Sequence, residues 1–258
     1  MTTRTERDDL GLAVPVPARV ERVVSLVPSL TEAVATSAPA LLVGATDWCT
    51  HPGDLGVARV RGTKNPDVDA VVGLAPDLVI ANAEENREPD LAALRAAGLA
   101  VWVTAPTTVP AALDSLDRLL RLGCRLTRPS WLEEADAVWQ AVFGATAAEP
   151  PRRAVIPIWR RPWMAVGRDT FTGDVLARLG VANVLADHPE RYPRITLADL
   201  PPHDLVVLPD EPYAFSPTDG PESFDAPSAC VSGRHLTWYG PSLTEAPALL
   251  RRQLGGGL

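Results

Sequence analysis

The run Asp77-Leu78-Val79-Ile80, preceded by Leu74 and Pro76, recurs 127 residues later as Asp204-Leu205-Val206-Val207, preceded by Leu200 and Pro201-Pro202. Each copy leads into a polar turn with adjacent acids, Glu84-Glu85 in the first and Asp210-Glu211 in the second. An apolar run this short, punctuated by proline, reads as a buried strand, and ligands of open α/β sheets gather beyond the carboxyl ends of such strands. A second echo, Arg22-Val23-Val24 with Arg153-Ala154-Val155, is offset by 131 residues. Nearly equal offsets suggest two similar lobes in tandem, and the position of the polar turns after the strands leads one to expect that both face one site.

The composition is compatible with two cores, since 46% of 258 residues are hydrophobic. The 26 prolines lie mostly between apolar runs rather than in low-complexity tracts, so they stiffen loops. A formal charge of −8, a pI near 5.0 and the lack of a basic stripe exclude nucleic acid as a partner. Cys49, Cys124 and Cys230 are far apart and form no C-x-x-C pair, which argues against a disulfide framework and a structural zinc site. No resident metal or cofactor is expected. The first twelve residues mix Arg4, Glu6, Arg7, Asp8 and Asp9 and lack the apolar stretch of a secretory signal. No run has the length of a membrane span. As written, the chain is therefore expected to be cytoplasmic and not inserted in a membrane.

Strand and helix signals alternate along the sequence, as in βα units with mostly parallel sheets. Strands are expected at Arg22–Val27, Leu41–Ala45, Asp77–Ala81, Leu99–Val103, Arg153–Trp159, Leu205–Leu208 and Ala229–Val231. Ser29 with Glu32, and Ser130 with Glu133, have the spacing of capping boxes, and Asn65-Pro66 suits the cap and first position of a helix reaching Leu74. Further helices are expected over Pro89–Ala97, closed by Gly98, over Thr170–Leu179, closed by Gly180, and over Pro241–Leu254. Leu113, Leu116, Leu119 and Leu120 recur at helical spacing up to Gly123. If the helix opened at Ser130 continues to Ala148, it spans about 27 Å and forms a stiff linker. The division that follows is an N-terminal lobe over 19–108, linker helices over 109–149 and a C-terminal lobe over 150–254.

Chemistry-bearing residues collect in the loops. Trp48, Trp159, Trp163 and Trp238, with Tyr213 and Tyr239, lie in or beside loops, where rings can stack on a broad, flat, partly apolar ligand. Trp102 and Trp139, in a strand and a helix, are expected in cores. Polar contacts to such a ligand could come from Ser29, His51, Lys64, Asn82, Glu84, Glu85, Glu211 and His235. Arg87, Arg160, Arg161 and Arg234 could meet carboxylates or catecholates, if the ligand carries them. Asp47, Cys49 and His51 alternate along one loop and could converge on a metal or, with His235, serve a cytosolic enzyme. Their spacing is not that of a zinc site, and G-x-S-x-G, H-E-x-x-H and G-x-G-x-x-G are all missing.

Several blocks taken together resemble one family. Arg22-Val23-Val24-Ser25-Leu26-Val27-Pro28-Ser29-Leu30-Thr31-Glu32, Val43-Gly44-Ala45-Thr46-Asp47-Trp48 and Leu74-Ala75-Pro76-Asp77-Leu78-Val79-Ile80 are similar to the cobalamin and iron-siderophore substrate-binding proteins of ABC transporters. Phe171-Thr172-Gly173-Asp174-Val175-Leu176 and Trp238-Tyr239-Gly240-Pro241 extend the likeness over residues 19 to 254. The resemblance implies two α/β lobes joined by one long helix, in the manner of class III periplasmic binding proteins, with a ligand held between them. It implies a corrinoid as ligand, with haem or a ferric siderophore as the variant, no catalysis, and an ABC transporter permease as partner. In this family an acid on each lobe docks onto the transporter; Asp69 falls at the first position and Asp199 near the second. A cytosolic enzyme using Asp47, Cys49, His51 or His235 is the alternative.

Overall fold

The structure, a computed structural model, describes residues 2–144 and 150–255. In chain order its elements begin with β1 (Thr3–Arg7), β2 (Ala13–Pro17), β3 (Val23–Ser25), α1 (Pro28–Ser37), β4 (Leu42–Ala45), β5 (Ala58–Arg59), β6 (Arg61–Gly62) and β7 (Asn65–Pro66). They continue with α2 (Val68–Gly73), β8 (Leu78–Asn82), α3 (Glu88–Ala96), β9 (Val101–Thr104), α4 (Val109–Arg118), a π-helical turn at Leu119–Gly123, and α5 (Ser130–Gly144). The rest comprises β10 (Arg152–Val155), β11 (Pro157–Trp159), β12 (Met164–Ala165), α6 (Phe171–Arg178), β13 (Val181–Asn183), β14 (Leu205–Pro209), β15 (Ser228–Val231), α7 (Gly233–Thr237) and α8 (Ala246–Gln253). The chain divides into two compact units. The first comprises Met1–Pro106, Ala111–Glu133 and Tyr239–Pro241; the second comprises Thr107–Pro110, Glu134–Trp238 and Ser242–Leu258.

The first unit is built on a five-stranded sheet of order β5-β4-β3-β8-β9, parallel throughout. Strands β3, β8 and β9 are buried along their whole length, as continuous apolar runs in a sheet covered on both faces should be. Val24, Leu26, Val79, Ala81, Val101 and Val103 pack with Leu91 and Leu94 of α3 into the core. Gly98, with φ of +84°, lets the chain leave α3 in the left-handed conformation. The antiparallel β1–β2 hairpin joins the same unit; Asp9 accepts from the Ala105 amide, from Ser115 and from Arg118, which anchors the hairpin turn to the end of β9.

The second unit has a four-stranded parallel sheet of order β13-β10-β14-β15. Its topology repeats β4-β3-β8-β9 strand for strand, and the echo in the sequence extends to hydrogen-bond register. Val79 pairs with Val101 and Asn82 with Thr104; 127 residues on, Val206 pairs with Ser228 and Pro209 with Val231. Likewise Val23 pairs with Leu78 and Val24 with Val79, as Ala154 does with Leu205 and Val155 with Val206. The residue before each central strand repeats its bonds too. The Asp77 amide donates to the Arg22 carbonyl while its carboxylate accepts the Arg22 amide, and Asp204 makes both bonds with Arg153.

The two copies differ where a crossover is not constrained by sheet pairing. In the first, the chain between the paired strands forms α3; in the second, a connection of equal length contains only one 3-10 turn, Pro221–Ser223. The second copy also inserts the antiparallel β11–β12 hairpin after β10.

Three expected caps are not formed. Pro28 occupies the first position of α1, so Val27 becomes the cap and Ser29 lies inside the helix. The Pro129 carbonyl receives the amides of Leu132 and Glu133, which shifts Ser130 into α5. Asn65 and Pro66 form β7 against β6, and the Asp67 side chain caps α2 by accepting the Ala70 amide at 3.0 Å. Helix α5 is 15 residues, about 22 Å. Its expected continuation to Ala148 lies outside the described residues.

Candidate functional site

Because both sheets are parallel, the carboxyl ends of their strands put the loops after β3, β4, β8 and β9 on one rim of the first unit and those after β10, β14 and β15 on one rim of the second. On the first rim, Asn82 ends β8 and is almost fully buried. Its side-chain oxygen accepts the amides of Glu84 at 2.7 Å and Glu85 at 3.0 Å, which folds the acid pair into a tight turn. Its side-chain nitrogen donates to the Thr104 carbonyl at 3.0 Å and to the Tyr239 hydroxyl at 2.6 Å. Lys64, at the tip of the β6–β7 hairpin, places its ammonium on the Glu84 carbonyl. Lys64, Asn82, Glu84, Glu85 and Tyr239 therefore form one network.

Trp48 is 67% exposed, so its ring is open to stack on a ligand. Its indole nitrogen lies 3.3 Å from where a Cβ on Gly62 would sit, so the glycine leaves room for the ring. Ser29 is buried in the first turn of α1, and His51 is half-buried with Nδ1 at 3.3 Å from the Thr50 hydroxyl. Burial raises the Glu85 carboxyl above the usual carboxylate range; Lys64 opposes this and Glu84 adds to it. The side chain itself reaches solvent, which limits the shift. Tyr239 is buried with its hydroxyl shared between Asn82 and Thr104, and desolvation keeps the phenol neutral.

The loop of Asp47, Cys49 and His51 does not converge. Cys49 is fully buried, with its sulfur 3.0 Å from the Thr31 hydroxyl and 3.1 Å from that of Thr46, whereas Asp47 is exposed. Burial raises the thiol pKa despite those hydrogen bonds, so neither the thiolate nucleophile nor the thiolate ligand is favoured. Among the described residues no group of three His, Cys, Asp or Glu side chains could hold a metal ion.

On the second rim, Asp210 follows β14 and accepts the Gly233 amide at 2.6 Å. A Cβ on Gly233 would meet the Glu211 backbone nitrogen at 2.6 Å, so the close approach of the two loops requires glycine there. Glu211 occupies the position equivalent to Glu84 in the repeat. Its carboxyl is raised by desolvation and by Asp210, while a hydrogen bond from the Trp238 side chain and the charge of Arg234 pull the other way. His235 is buried, with Nδ1 2.8 Å from the Ser232 hydroxyl and Nε2 3.7 Å from Glu245.

Trp159, 43% exposed, meets the edge of Tyr213 at 5.7 Å between centroids. Trp163 stacks on Phe215 at 5.9 Å and packs into the core of the unit. Tyr213 donates to Asp219 at 2.7 Å, which raises its pKa and holds it as a phenol. Arg160, over the Trp163 ring, is bound to both Asp219 and Glu222, and Arg87 is paired with Asp90 at 3.0 Å. Two of the four arginines expected to meet anionic ligand groups are thus paired within the protein, Arg160 with two acids and little exposed, Arg87 with one and largely exposed. Nothing in the sequence points to Thr104 or Asp219, and it places Asn86 in the polar turn and Gly233 near His235 without assigning either a role. The spacing of Asn82 and Asn86 across a short polar turn is the signal that points to the Asn86 role.

Asp69 lies exposed in the first turn of α2, and Asp199 lies exposed in a 3-10 turn, Leu197–Asp199. Each turn leads into the repeated strand of its own unit, β8 or β14. Trp102 and Trp139 are fully buried, as expected.

Two repeated, mostly parallel α/β units make up the fold of class III periplasmic binding proteins. By sequence, the chain is 26% identical over 192 residues to a vitamin B12-binding protein of Vibrio cholerae, covering 72% of this chain and 68% of the relative. A vitamin B12-binding protein of Yersinia pestis is 25% identical over 182 residues, covering 68% of this chain and 64% of the relative. No family model matches. Among solved structures, the periplasmic vitamin B12 binding protein of Vibrio cholerae aligns with a TM-score of 0.71 at 18% identity, over 93% of this chain and 98% of that one. A periplasmic heme binding protein of Pseudomonas aeruginosa aligns at 0.71 with 22% identity, over 93% and 94%. Nickel-bound CeuE of Helicobacter pylori aligns at 0.81 with 12% identity, over 97% and 88%. The resemblance to cobalamin and iron-siderophore substrate-binding proteins is borne out. These relatives lend no support to a cytoplasmic location. Among the described residues, no helix is long and apolar enough to cross a membrane.

Proposed function

We propose that the chain binds a corrinoid without chemically altering it, as the cargo-binding component of an ABC transporter. The observation that carries this reading is the chemistry of the two rims. They offer exposed indoles, Trp48 and Trp159, and the carboxylates Glu84, Glu85 and Glu211, while Arg160 is held by two acids of its own unit and Arg87 pairs with Asp90. A corrin ring has broad apolar faces and an edge of carboxamides, which donate hydrogen bonds to carboxylates. The propionates of haem and the catecholates of a siderophore would instead meet like charge. Tyr213 keeps its proton in the hydrogen bond it donates to Asp219, and Tyr239 is buried as a neutral phenol, so neither offers the phenolate that a ferric centre would take. The vitamin B12 relatives supply independent support.

Cys49 is sequestered as a thiol, which speaks against the Cys49 chemistry that a cytosolic enzyme would use. Asp69 and Asp199, one on each unit and each exposed, are the proposed docking acids for a permease. The test is an absorbance spectrum of the purified protein after incubation with cyanocobalamin, haem or ferric siderophores, followed by desalting. Cyanocobalamin is expected to co-elute at micromolar concentrations. Retention of haem alone, or of no chromophore, would overturn the assignment.

A further inference from the structure

The acid turn of the first rim is held from beneath by two buried amides. Two backbone N–H groups, from Glu84 and Glu85, point at one end of the Asn82 amide, so that end is the oxygen and the other is the donor. The donor end reaches the Thr104 carbonyl and the Tyr239 hydroxyl. The Asn82 backbone amide donates to Asn86 Oδ1 at 2.9 Å, and Asn86 Nδ2 in turn reaches the Leu26 carbonyl at 3.3 Å and the Thr63 carbonyl at 2.9 Å. Both asparagines are 4% exposed. The ends of β3, β8 and β9, the β6–β7 hairpin and the Tyr239 segment are thereby tied at one point.

Every hydrogen-bonding position of the Asn82 side chain is occupied by the protein itself: two donated amides on the oxygen, two acceptors for the nitrogen. It has nothing left for a ligand. At the equivalent place in the second unit stands Pro209, which has no such groups, and the neighbouring acid turn is held instead by Asp210 on the Gly233 amide. The first rim therefore holds the Glu84 and Glu85 amides through the Asn82 side chain, backed by Asn86, where the second uses an aspartate and a glycine.

We propose that Asn82 is a positioning residue for ligand binding: it touches no ligand, and it sets the backbone from which Glu84 and Glu85 meet one. The proposal rests on the ligand-binding reading above. If it holds, the effect of Asn82 on affinity is transmitted only through those two carboxylates. Its removal should then matter when they are present and not when they are gone, which is the signature of coupled sites.

The experiment measures cyanocobalamin binding by the full chain carrying Asn82→Ala, Glu84→Ala with Glu85→Ala, and all three changes, and follows amide hydrogen exchange at residues 84 and 85. Asn82→Ala is expected to weaken binding about tenfold in the native background and to add nothing once both glutamates are removed. An equal loss in both backgrounds, or no loss in the first, overturns the proposal. The exchange arm needs no ligand. Protection at 84 and 85 is expected to fall in Asn82→Ala, and unchanged protection overturns the proposal even if the native chain retains no cyanocobalamin, an outcome that would separately sink the corrinoid reading. Should Asn82→Ala not fold, Asn82→Asp keeps the accepting oxygen. Retained protection with retained binding supports positioning, and retained protection with lost binding refutes it.

Discussion

Asp77 and Asp204 stand at equivalent places in the two units, yet the structure gives them unequal work. The Asp77 carboxylate accepts two backbone amides, from Glu21 at 2.8 Å and Arg22 at 2.9 Å, whereas that of Asp204 accepts only Arg153, at 3.2 Å. A hydrogen bond to a charged acceptor contributes about 1.5 to 3 kcal/mol when well shielded, and less here because Glu21, Arg22 and Arg153 are exposed and can turn to water when the acceptor goes. Asp77 is half-buried and Asp204 exposed. Asp77→Ala is therefore expected to cost about 2 kcal/mol and Asp204→Ala about 0.5 kcal/mol. For a chain of this size those losses correspond to about 6 °C and about 2 °C in Tm. Urea and thermal unfolding measure the difference, with hydrogen exchange at Arg22 and Arg153 assigning each loss to its own unit, since two units need not unfold together. Equal costs, or a larger cost at Asp204, would refute the inference from bond count and exposure.

Asp117 supplies a pH-dependent test. Burial alone would raise its carboxyl, but hydrogen bonds and charge from Arg121 and Arg128 outweigh that and hold it below the ordinary value of 3.8. A depressed acid contributes stability that is present above the unfolded pKa and is lost as pH falls through the folded one. Asp117→Asn should lower stability at neutral pH by about 1 to 3 kcal/mol, and the gap between native and variant should narrow below pH 3.8 in acid titrations of the urea midpoint. A gap constant down to the lowest pH would count against the pairing. Charge reversal at both Asp69 and Asp199 is expected to leave cyanocobalamin retention unchanged and to abolish capture by a permease reconstituted in nanodiscs; unchanged capture would remove the docking role.

The parts of the fold visible in the sequence were those fixed by periodicity and punctuation. Apolar runs after proline marked β8 and β14, and the spacing between copies was retained by the register of the paired strands, because slipping by one residue would turn every buried side chain to the wrong face. Crossovers carry no such constraint, so α3 and the connection after β14 diverged at equal length. Capping spacings misled wherever a proline competed for the same turn, as at Pro28, Pro66 and Pro129.

The site was legible as a set of loops but not as a set of roles. Asp47-Trp48-Cys49 lies in a loop, where no period tells which side chain turns inward. Burial decides it, sending Cys49 between two threonine hydroxyls and leaving Trp48 in solvent. Asn82 looks from sequence like any polar residue after a strand, because the partners that consume its amide, Thr104 and Tyr239, are 22 and 157 residues away. The same applies to Arg160, whose neutralising acids Asp219 and Glu222 reach it only through folding. Composition gives the net charge of a rim, but its selectivity depends on which charges remain unpaired after the chain has satisfied itself. In this chain Asp219 and Glu222 hold Arg160, so the loop that carries it presents less free positive charge than its sequence implies.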